Sequence, residues 1–187
     1  MKRKVTFDNH QAMRRGITQP FKNLAANGYT LYAVSITYKH PRCKDERFNR
    51  THSGMSVDKL HEILHSIYIG LCKTLVHQHN FARPSYRSLM PTLFAVAEKD
   101  GNCELHHHGI LAVRSDIANR AQALMGENTL CPSNESVKTS DIKPIWLLEG
   151  WADYICPSAS LWDTPSFFSP KFRDALEDSS DQLEVVQ

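Results

Sequence analysis

Apolar positions along the chain follow the spacing of strands in some stretches and of helices in others. The run 31–38 (LYAVSITY) is rich in β-branched and aromatic residues and predicts a strand. The runs 91–98 and 104–113 predict two more strands, and the Asp-Gly pair between them is typical of a hairpin. A long helix ending near residue 80 is predicted before this hairpin, because apolar residues recur there at helical spacing: Val57, Leu60, Leu64, Ile67, Leu71 and Leu75.

The second half of the chain predicts two shorter helices and a weaker strand. Asp116 is a candidate N-cap for a helix over 117–125, and residues 136–142 predict the strand. Pro144 suits the first turn of a last helix, which Pro157 ends. This order of elements predicts an α+β fold in a single domain, with one mostly antiparallel sheet flanked by helices. The apolar residues expected to pack the last helix are Trp146, Leu147, Trp151 and Ile155.

Charge is distributed unevenly along the 187 residues. Residues 1–50 hold eleven Lys and Arg against three Asp and Glu, whereas residues 51–170 hold nine against twelve. A basic front end favours a polyanionic partner, most simply nucleic acid, although a solvated basic tail without a partner has the same composition. The expected division of the chain is a basic N-terminal arm or peripheral helices over 1–28, a globular domain over 29–164 and an acidic, flexible tail over 165–187.

Composition narrows the class of protein further. Apolar residues make up 41% of the chain and charged residues 22%, which favours a folded core over wholesale disorder. We expect neither a membrane helix nor a signal peptide, because no apolar window is long enough. The five cysteines are odd in number and form no CxxC pair, which favours a reducing cytoplasm over a disulfide framework. The sequence has no phosphate-binding loop, so we expect no motor driven by ATP.

The run His106-His107-His108 carries the most informative chemistry in the sequence. On a strand, alternate side chains share a face, so His106 and His108 point the same way and His107 the other. Glu98 ends the preceding strand and comes near the histidines in a hairpin, although its face stays open without the register. Two imidazoles and a carboxylate with open positions are typical of a catalytic site for Mg²⁺ or Mn²⁺ acting on a phosphate, and Zn²⁺ also binds such a set. A chance cluster on a solvated strand is the alternative, since the chain has ten histidines.

The stretch 93–113 resembles the HUH endonuclease superfamily and, within it, the replication initiators of rolling-circle plasmids and phages. Their pattern is a strand that ends in an acidic residue, a tight hairpin, and a His-x-His followed by small and apolar residues. In this chain the acidic residue is Glu98, the two histidines are His106 and His108, and the small residue is Gly109.

Two further segments are similar to motifs of the same superfamily. The first strand ends in Thr37-Tyr38, like the family's opening motif, and residues 137–154 resemble its late helix with a tyrosine. The chain departs from the pattern in two places. His107 stands where the family has an apolar residue, and the lysine that often follows the tyrosine is missing after Tyr154.

The resemblance implies a ferredoxin-like palm and an enzyme that nicks and rejoins single-stranded DNA. The three ligands would hold Mg²⁺ or Mn²⁺, and Tyr154 would attack the phosphate to form a 5′-phosphotyrosyl link, with His107 or Asp153 as candidate bases. The implied partners are single-stranded or hairpin DNA at a replication origin and a host helicase. A relaxase or a tyrosine transposase of the same superfamily is an alternative. The residues expected to contact DNA are Arg42, Lys44, Arg47, Arg50, Arg83 and Arg87.

A second metal motif competes with the histidine run. His61, Glu62 and His65 spell HExxH on the predicted long helix, which is the pattern of zinc peptidases. The extended peptidase pattern requires Gly and His where this chain has Tyr68 and Leu71, so the polar flank of an amphipathic helix is the favoured interpretation. A non-catalytic nucleic-acid-binding module is a further alternative.

Overall fold

The computed structural model describes residues 7–39, 57–76, 86, 89–99, 105–126, 137–155, 166–170 and 172. These residues include four α-helices and five strands, and a short 3₁₀ turn, Ser115–Ile117, precedes the third helix. The elements in chain order are α1 (Phe7–Ala26), β1 (Tyr29–Tyr38), α2 (Val57–Val76), β2 (Thr92–Lys99), β3 (Leu105–Arg114), α3 (Ala118–Gly126), β4 (Val137–Pro144), α4 (Leu148–Ile155) and β5 (Ser166–Phe168).

The strands form one five-stranded sheet in the order β4-β1-β3-β2-β5, with β3 at its centre. Every neighbouring pair is antiparallel. This confirms the predicted α+β fold with a helix-flanked antiparallel sheet. No helix in the described part of the chain is both long and apolar enough to span a membrane.

The two faces of the sheet carry separate apolar clusters, because alternate side chains of each strand point to opposite sides. On one face, Val34 and Ile36 of β1 pack with Leu64 and the other apolar residues of α2. On the other face, Ile110 of β3 packs with residues of α1 and α4. The sheet is therefore covered by α2 on one side and by α1 together with α4 on the other.

Both ends of the described chain take part in the core. Ile17 and Phe21 of α1 are buried, and the ring of Phe21 stacks on Phe172 with centroids 5.1 Å apart. Burying one phenylalanine side chain contributes about 2 kcal/mol. The expected flexible tail over 165–187 is wrong in its first residues, because β5 pairs with β2 and Phe167 is buried. The prediction rested on the average composition of residues 165–187, and that average gave no weight to the phenylalanines that are buried in the structure.

The last helix begins later than predicted. Pro144 ends β4 opposite Tyr32 of β1 and lies outside α4, which begins at Leu148. A proline is tolerated there because β4 is an edge strand of the described sheet, with one side free of ladder hydrogen bonds. The expected packing roles of Trp146 and Leu147 are wrong, since their exposed fractions are 95% and 65%.

The predicted hairpin of β2 and β3 is confirmed, and more residues lie between its paired strands than a two-residue Asp-Gly turn would need. Lys99 of β2 pairs with Leu105 of β3, so residues 100–104 join the two strands. These joining residues lie outside the described part of the chain. The register of the two strands is what places the candidate ligands.

Candidate metal centre

Glu98, His106 and His108 lie on the same face of the sheet, at the end of β2 and the start of β3. Glu98 is the direct partner of His106 across the β2–β3 ladder. Directly opposed residues of an antiparallel pair share a face, and His108 follows two residues later on that face. The register therefore brings the carboxylate to the two imidazoles without a bulge.

The three side chains can hold a metal ion. Oε2 of Glu98 lies 3.9 Å from Nε2 of His106 and 3.9 Å from Nε2 of His108. One potential ligand atom from each residue falls within 4.8 Å of the others. Among the described residues, no other group of three or more His, Cys, Asp or Glu meets this condition. The strand pattern predicted the shared face of His106 and His108, and the register adds Glu98 to that face.

The donor set fits a hard or borderline divalent cation. Bonds of about 2.1 Å from nitrogen and oxygen ligands allow two ligands of one ion to lie up to about 4 Å apart, which matches the two distances from Glu98. Each histidine side chain is 13% exposed and Glu98 is 48% exposed. Three protein ligands at a half-open site leave coordination positions for a substrate oxygen or water.

The environment of His108 favours its neutral form, which is the form that binds metal. Burial lowers the pKa of His108, and the neighbouring His106 lowers it further, while the Glu98 carboxylate opposes these effects. Nδ1 of the same ring forms a 2.8 Å hydrogen bond with Oγ of Ser35 on β1. The remaining ring nitrogen, Nε2, is the one that faces Glu98.

His107 lies on the opposite face and is buried, with 1% of its surface exposed. Its Nδ1 hydrogen-bonds the hydroxyl of Tyr38 at 2.7 Å, and its ring lies 5.6 Å from that of His61. Burial, and to a lesser extent the nearby histidines, lower the pKa of His107 to about 3. The expectation that His107 serves as a base for Tyr154 is wrong, because the sheet separates the two side chains.

Tyr154 lies beside the candidate ligands. It projects from α4 with 54% of its surface exposed, and its ring centroid lies 5.2 Å from that of His108. The ring stacks on Trp151 at 4.9 Å with an interplanar angle of 22°. The structure thus brings together Tyr154 and the three ligands that the sequence singled out.

Trp151 anchors α4 to the histidine strand. Its indole Nε1 donates a 2.8 Å hydrogen bond to the carbonyl oxygen of Gly109, the residue after His108. A side chain at position 109 would place a Cβ 2.5 Å from the carbonyl oxygen of Phe94 and 2.9 Å from Cβ of Ala95. Glycine is therefore required where β3 passes β2, next to the site.

Asp153, the second candidate base, is engaged elsewhere. One oxygen of its carboxylate lies 3.1 Å from Nε of Arg14 on α1. One turn earlier on α4, Glu149 pairs with Lys22 at 2.6 Å. These two ion pairs join α1 to α4, so Asp153 contributes to the docking of the helices.

The HExxH residues of α2 do not assemble a metal group with other described residues. Glu62 pairs with Lys59 at 2.8 Å on the same helix. The rings of His61 and His65 lie against Phe167 of β5, at centroid distances of 6.5 and 6.3 Å. These contacts fit the favoured interpretation of a helix flank.

The candidate DNA contacts lie outside the described residues. They are Arg42, Lys44, Arg47, Arg50, Arg83 and Arg87. The first four follow β1 in the sequence, and β1 ends at Tyr38, one residue beyond the partner of His106. They stay predictions.

Sequence reasoning missed two residues that contact the site, Ser35 and Trp151. Ser35 is recognisable only through the β1–β3 register, in which it is the direct partner of His108. Trp151 was expected to pack the helix, but its hydrogen bond to β3 depends on how α4 lies across the sheet.

No protein-family model, no curated protein and no solved structure matches the chain. The resemblance to the HUH superfamily therefore stays a prediction from the motifs. The geometry around Glu98, His106 and His108 is the independent support for a function.

Proposed function

We propose that this protein is a metal-dependent endonuclease that nicks and rejoins single-stranded DNA, in the manner of rolling-circle replication initiators. The observation that carries the proposal is the juxtaposition of a His-His-Glu group with a half-exposed tyrosine on one face of the sheet. Neither feature alone is specific. Together they supply the two components that a phosphotyrosyl nickase needs, a cation site and a phenol beside it.

Glu98, His106 and His108 would hold the metal, which we propose to be Mg²⁺ or Mn²⁺. When bound, such an ion would neutralise charge on the scissile phosphate and orient it. The side chains leave the site open on the solvent side, because Glu98 is 48% exposed. This openness suits a polymeric substrate that must enter and leave.

Tyr154 would be the nucleophile. Its oxygen forms a bond to phosphorus while the bond from phosphorus to the 3′-oxygen breaks, so the 5′ end is held as a phosphotyrosine and the other strand end leaves as a 3′-OH. The phenolic proton passes to solvent, to which the half-exposed residue has access, and the leaving oxygen gains a proton. The bond energy is retained, so a 3′-OH can reverse the step without ATP.

The protein would position Tyr154 through α4. Stacking on Trp151 restrains the ring, and the bond from Trp151 to Gly109 ties that stack to the strand that carries His108. A nucleophile held near its target reduces the entropic part of the barrier. Because His107 lies on the opposite face and Asp153 pairs with Arg14, the phenolic proton of Tyr154 would pass to solvent, and a bound cation would favour its loss electrostatically.

The proposed partner is single-stranded or hairpin DNA at a replication origin, with strand separation left to a host helicase. The basic residues Arg42, Lys44, Arg47 and Arg50 support binding to phosphates. Replacing these four with Ala should weaken binding and reduce the slope of log affinity against log salt by about one for each phosphate that is no longer neutralised. Deleting residues 1–28 is the poorer test, because it removes Ile17 and Phe21 from the core.

The decisive experiment traps the covalent adduct. The protein is incubated with a fluorescent pool of single-stranded and hairpin oligonucleotides, with Mn²⁺ or with EDTA, and separated under denaturing conditions. We expect a shifted, metal-dependent protein–DNA band whose nucleotide maps to Tyr154 by mass spectrometry. Sequencing of the trapped strands identifies the preferred site.

Matched variants assign the roles. Tyr154→Phe should abolish the adduct while metal binding persists, and the double variant His106→Ala with His108→Ala should abolish both. His65→Ala, an exposed histidine on α2, should retain both. An adduct that forms at the wild-type rate in the double variant, or that maps to another tyrosine such as Tyr86 or Tyr38, would contradict the site assignment.

A further inference from the structure

The two histidines of the candidate metal centre differ in how their rings are held. Nδ1 of His108 lies 2.8 Å from Oγ of Ser35, its direct partner on β1. The residue in the equivalent place beside His106 is Thr37, and no hydrogen bond joins it to that ring within the described part of the chain. One ligand is thus fixed by its neighbour, and the other is not.

The donor in the hydrogen bond between Ser35 and His108 depends on the tautomer of the imidazole ring. A neutral imidazole carries one proton, and the nitrogen without it is the one that can bind metal. Nε2 of His108 lies 3.9 Å from Oε2 of Glu98, too far for a hydrogen bond. When Nε2 is the nitrogen that binds metal, the single ring proton lies on Nδ1, and Oγ of Ser35 is placed at 2.8 Å to accept it.

We propose that Ser35 is a positioning residue that accepts the Nδ1 proton of His108 and so presents the Nε2 lone pair to the metal. This inference rests on the metal site of the proposed function. Partners of this kind fix the tautomer and ring orientation of a ligating histidine. Ser35 also belongs to β1, so the β1–β3 register sets the ligand geometry as well as the sheet.

The first test needs no metal. Nitrogen-15 NMR of the histidine rings in metal-free protein, above the pH at which His108 is protonated, reports which nitrogen carries the proton. We expect the Nδ1–H form of His108 in the wild type and in Ser35→Thr, and a shift toward the Nε2–H form in Ser35→Ala. Thr37→Val removes the hydroxyl opposite His106 and is the matched control, which should leave the His108 signals unchanged.

The second test measures affinity for Mn²⁺ by titration calorimetry. Loss of such a partner typically lowers metal affinity about 10–100-fold, so we expect a loss in that range for Ser35→Ala, rescue in Ser35→Thr and less than a twofold change in Thr37→Val. Thermal unfolding of the metal-free variants serves as a control for folding.

The outcomes separate this inference from the proposed function. If Ser35→Ala leaves both the tautomer and the Mn²⁺ affinity at wild-type values, Ser35 has no positioning role, although the nickase proposal stands. An Nε2–H form of His108 in the metal-free wild type would also overturn it. If the wild type shows the Ser35-dependent Nδ1–H form and yet forms no adduct, the failure belongs to the proposed function.

Discussion

Histidines have different roles on the two faces of β3. His106 and His108 stand on the face with α4, 13% exposed, and meet a carboxylate. His107 stands between them on the face with α2, 1% exposed, and meets the hydroxyl of Tyr38. On the face with α4, the open face, the histidine nitrogens are available to bind a cation. On the face with α2, the buried face, His107 is a neutral polar residue within the core.

The difference teaches that burial and partners, rather than residue type, set the chemistry of a histidine. A ring nitrogen that faces solvent and a carboxylate remains available to a cation. The buried ring of His107 keeps its hydrogen bond to Tyr38 and is held neutral, because burial and the nearby histidines disfavour a charge there. The following predictions test that contrast.

The largest expected effect is a loss of stability on the buried face. His107→Ala leaves a cavity and removes the imidazole that hydrogen-bonds the hydroxyl of Tyr38, so we expect the free energy of unfolding to fall by about 3 kcal/mol. His106→Ala, its matched control on the open face, should cost less than about 1 kcal/mol. Urea unfolding of the two metal-free variants measures both values, and equal losses would break the contrast.

The second effect is stabilisation by a metal ion, which we expect to depend on the open face alone. At a concentration one hundred times its dissociation constant, Mn²⁺ should raise the free energy of unfolding of the wild type by about 2.7 kcal/mol. The double variant His106→Ala with His108→Ala should show no such rise, whereas His65→Ala should keep it. Thermal unfolding with and without Mn²⁺ measures the effect. A rise that survives in the double variant would place the metal elsewhere.

The third effect is a dependence of stability on pH that arises from His107. Its folded pKa of about 3 lies below the unfolded value, so its stabilising contribution is complete above the unfolded pKa and is lost as the pH falls. Below about pH 6.5 the unfolded chain binds a proton that the folded chain excludes, which costs about 1.4 kcal/mol per pH unit from this residue.

A matched variant isolates this contribution from the carboxylates of the chain. His107→Asn keeps a side-chain acceptor for the hydroxyl of Tyr38 and cannot titrate in this range. We expect the difference in unfolding free energy between wild type and variant, in EDTA, to narrow as the pH falls from about 6.5 to about 5. Parallel curves for the two proteins would show that His107 takes up its proton without unfolding.

The smallest effect sharpens the contrast within the open face. Trp146 is 95% exposed, so Trp146→Ala should change the free energy of unfolding by less than about 0.5 kcal/mol. Trp151→Ala should cost about 2 kcal/mol, because Trp151 is partly buried and hydrogen-bonds Gly109. Chemical unfolding of both variants provides the comparison. A large loss for Trp146→Ala would show that its ring contributes to the core.

The sequence by itself determined the types of the main elements and the alternation of the three histidines. A period of two places His106 and His108 together and His107 apart, whatever the rest of the fold does. The long apolar periodicity of α2 and the β-branched run of β1 are equally local signals. These signals predicted the fold class because a given order of helices and strands can bury its apolar faces in only a few layered architectures.

Only the tertiary structure decided where the partners of those residues lie. The β2–β3 register decides which face of the sheet Glu98 occupies. Ser35 contacts His108 because the β1–β3 register pairs the two residues. Pro144 can lie in β4 because β4 is an edge strand of the described sheet. β5 likewise pairs with β2, and Phe167 and Phe172 are buried. The average composition of their segment, which is rich in serine and acidic residues, did not predict this burial. Register and docking arise from contacts between residues far apart in sequence, which no local pattern of spacing encodes.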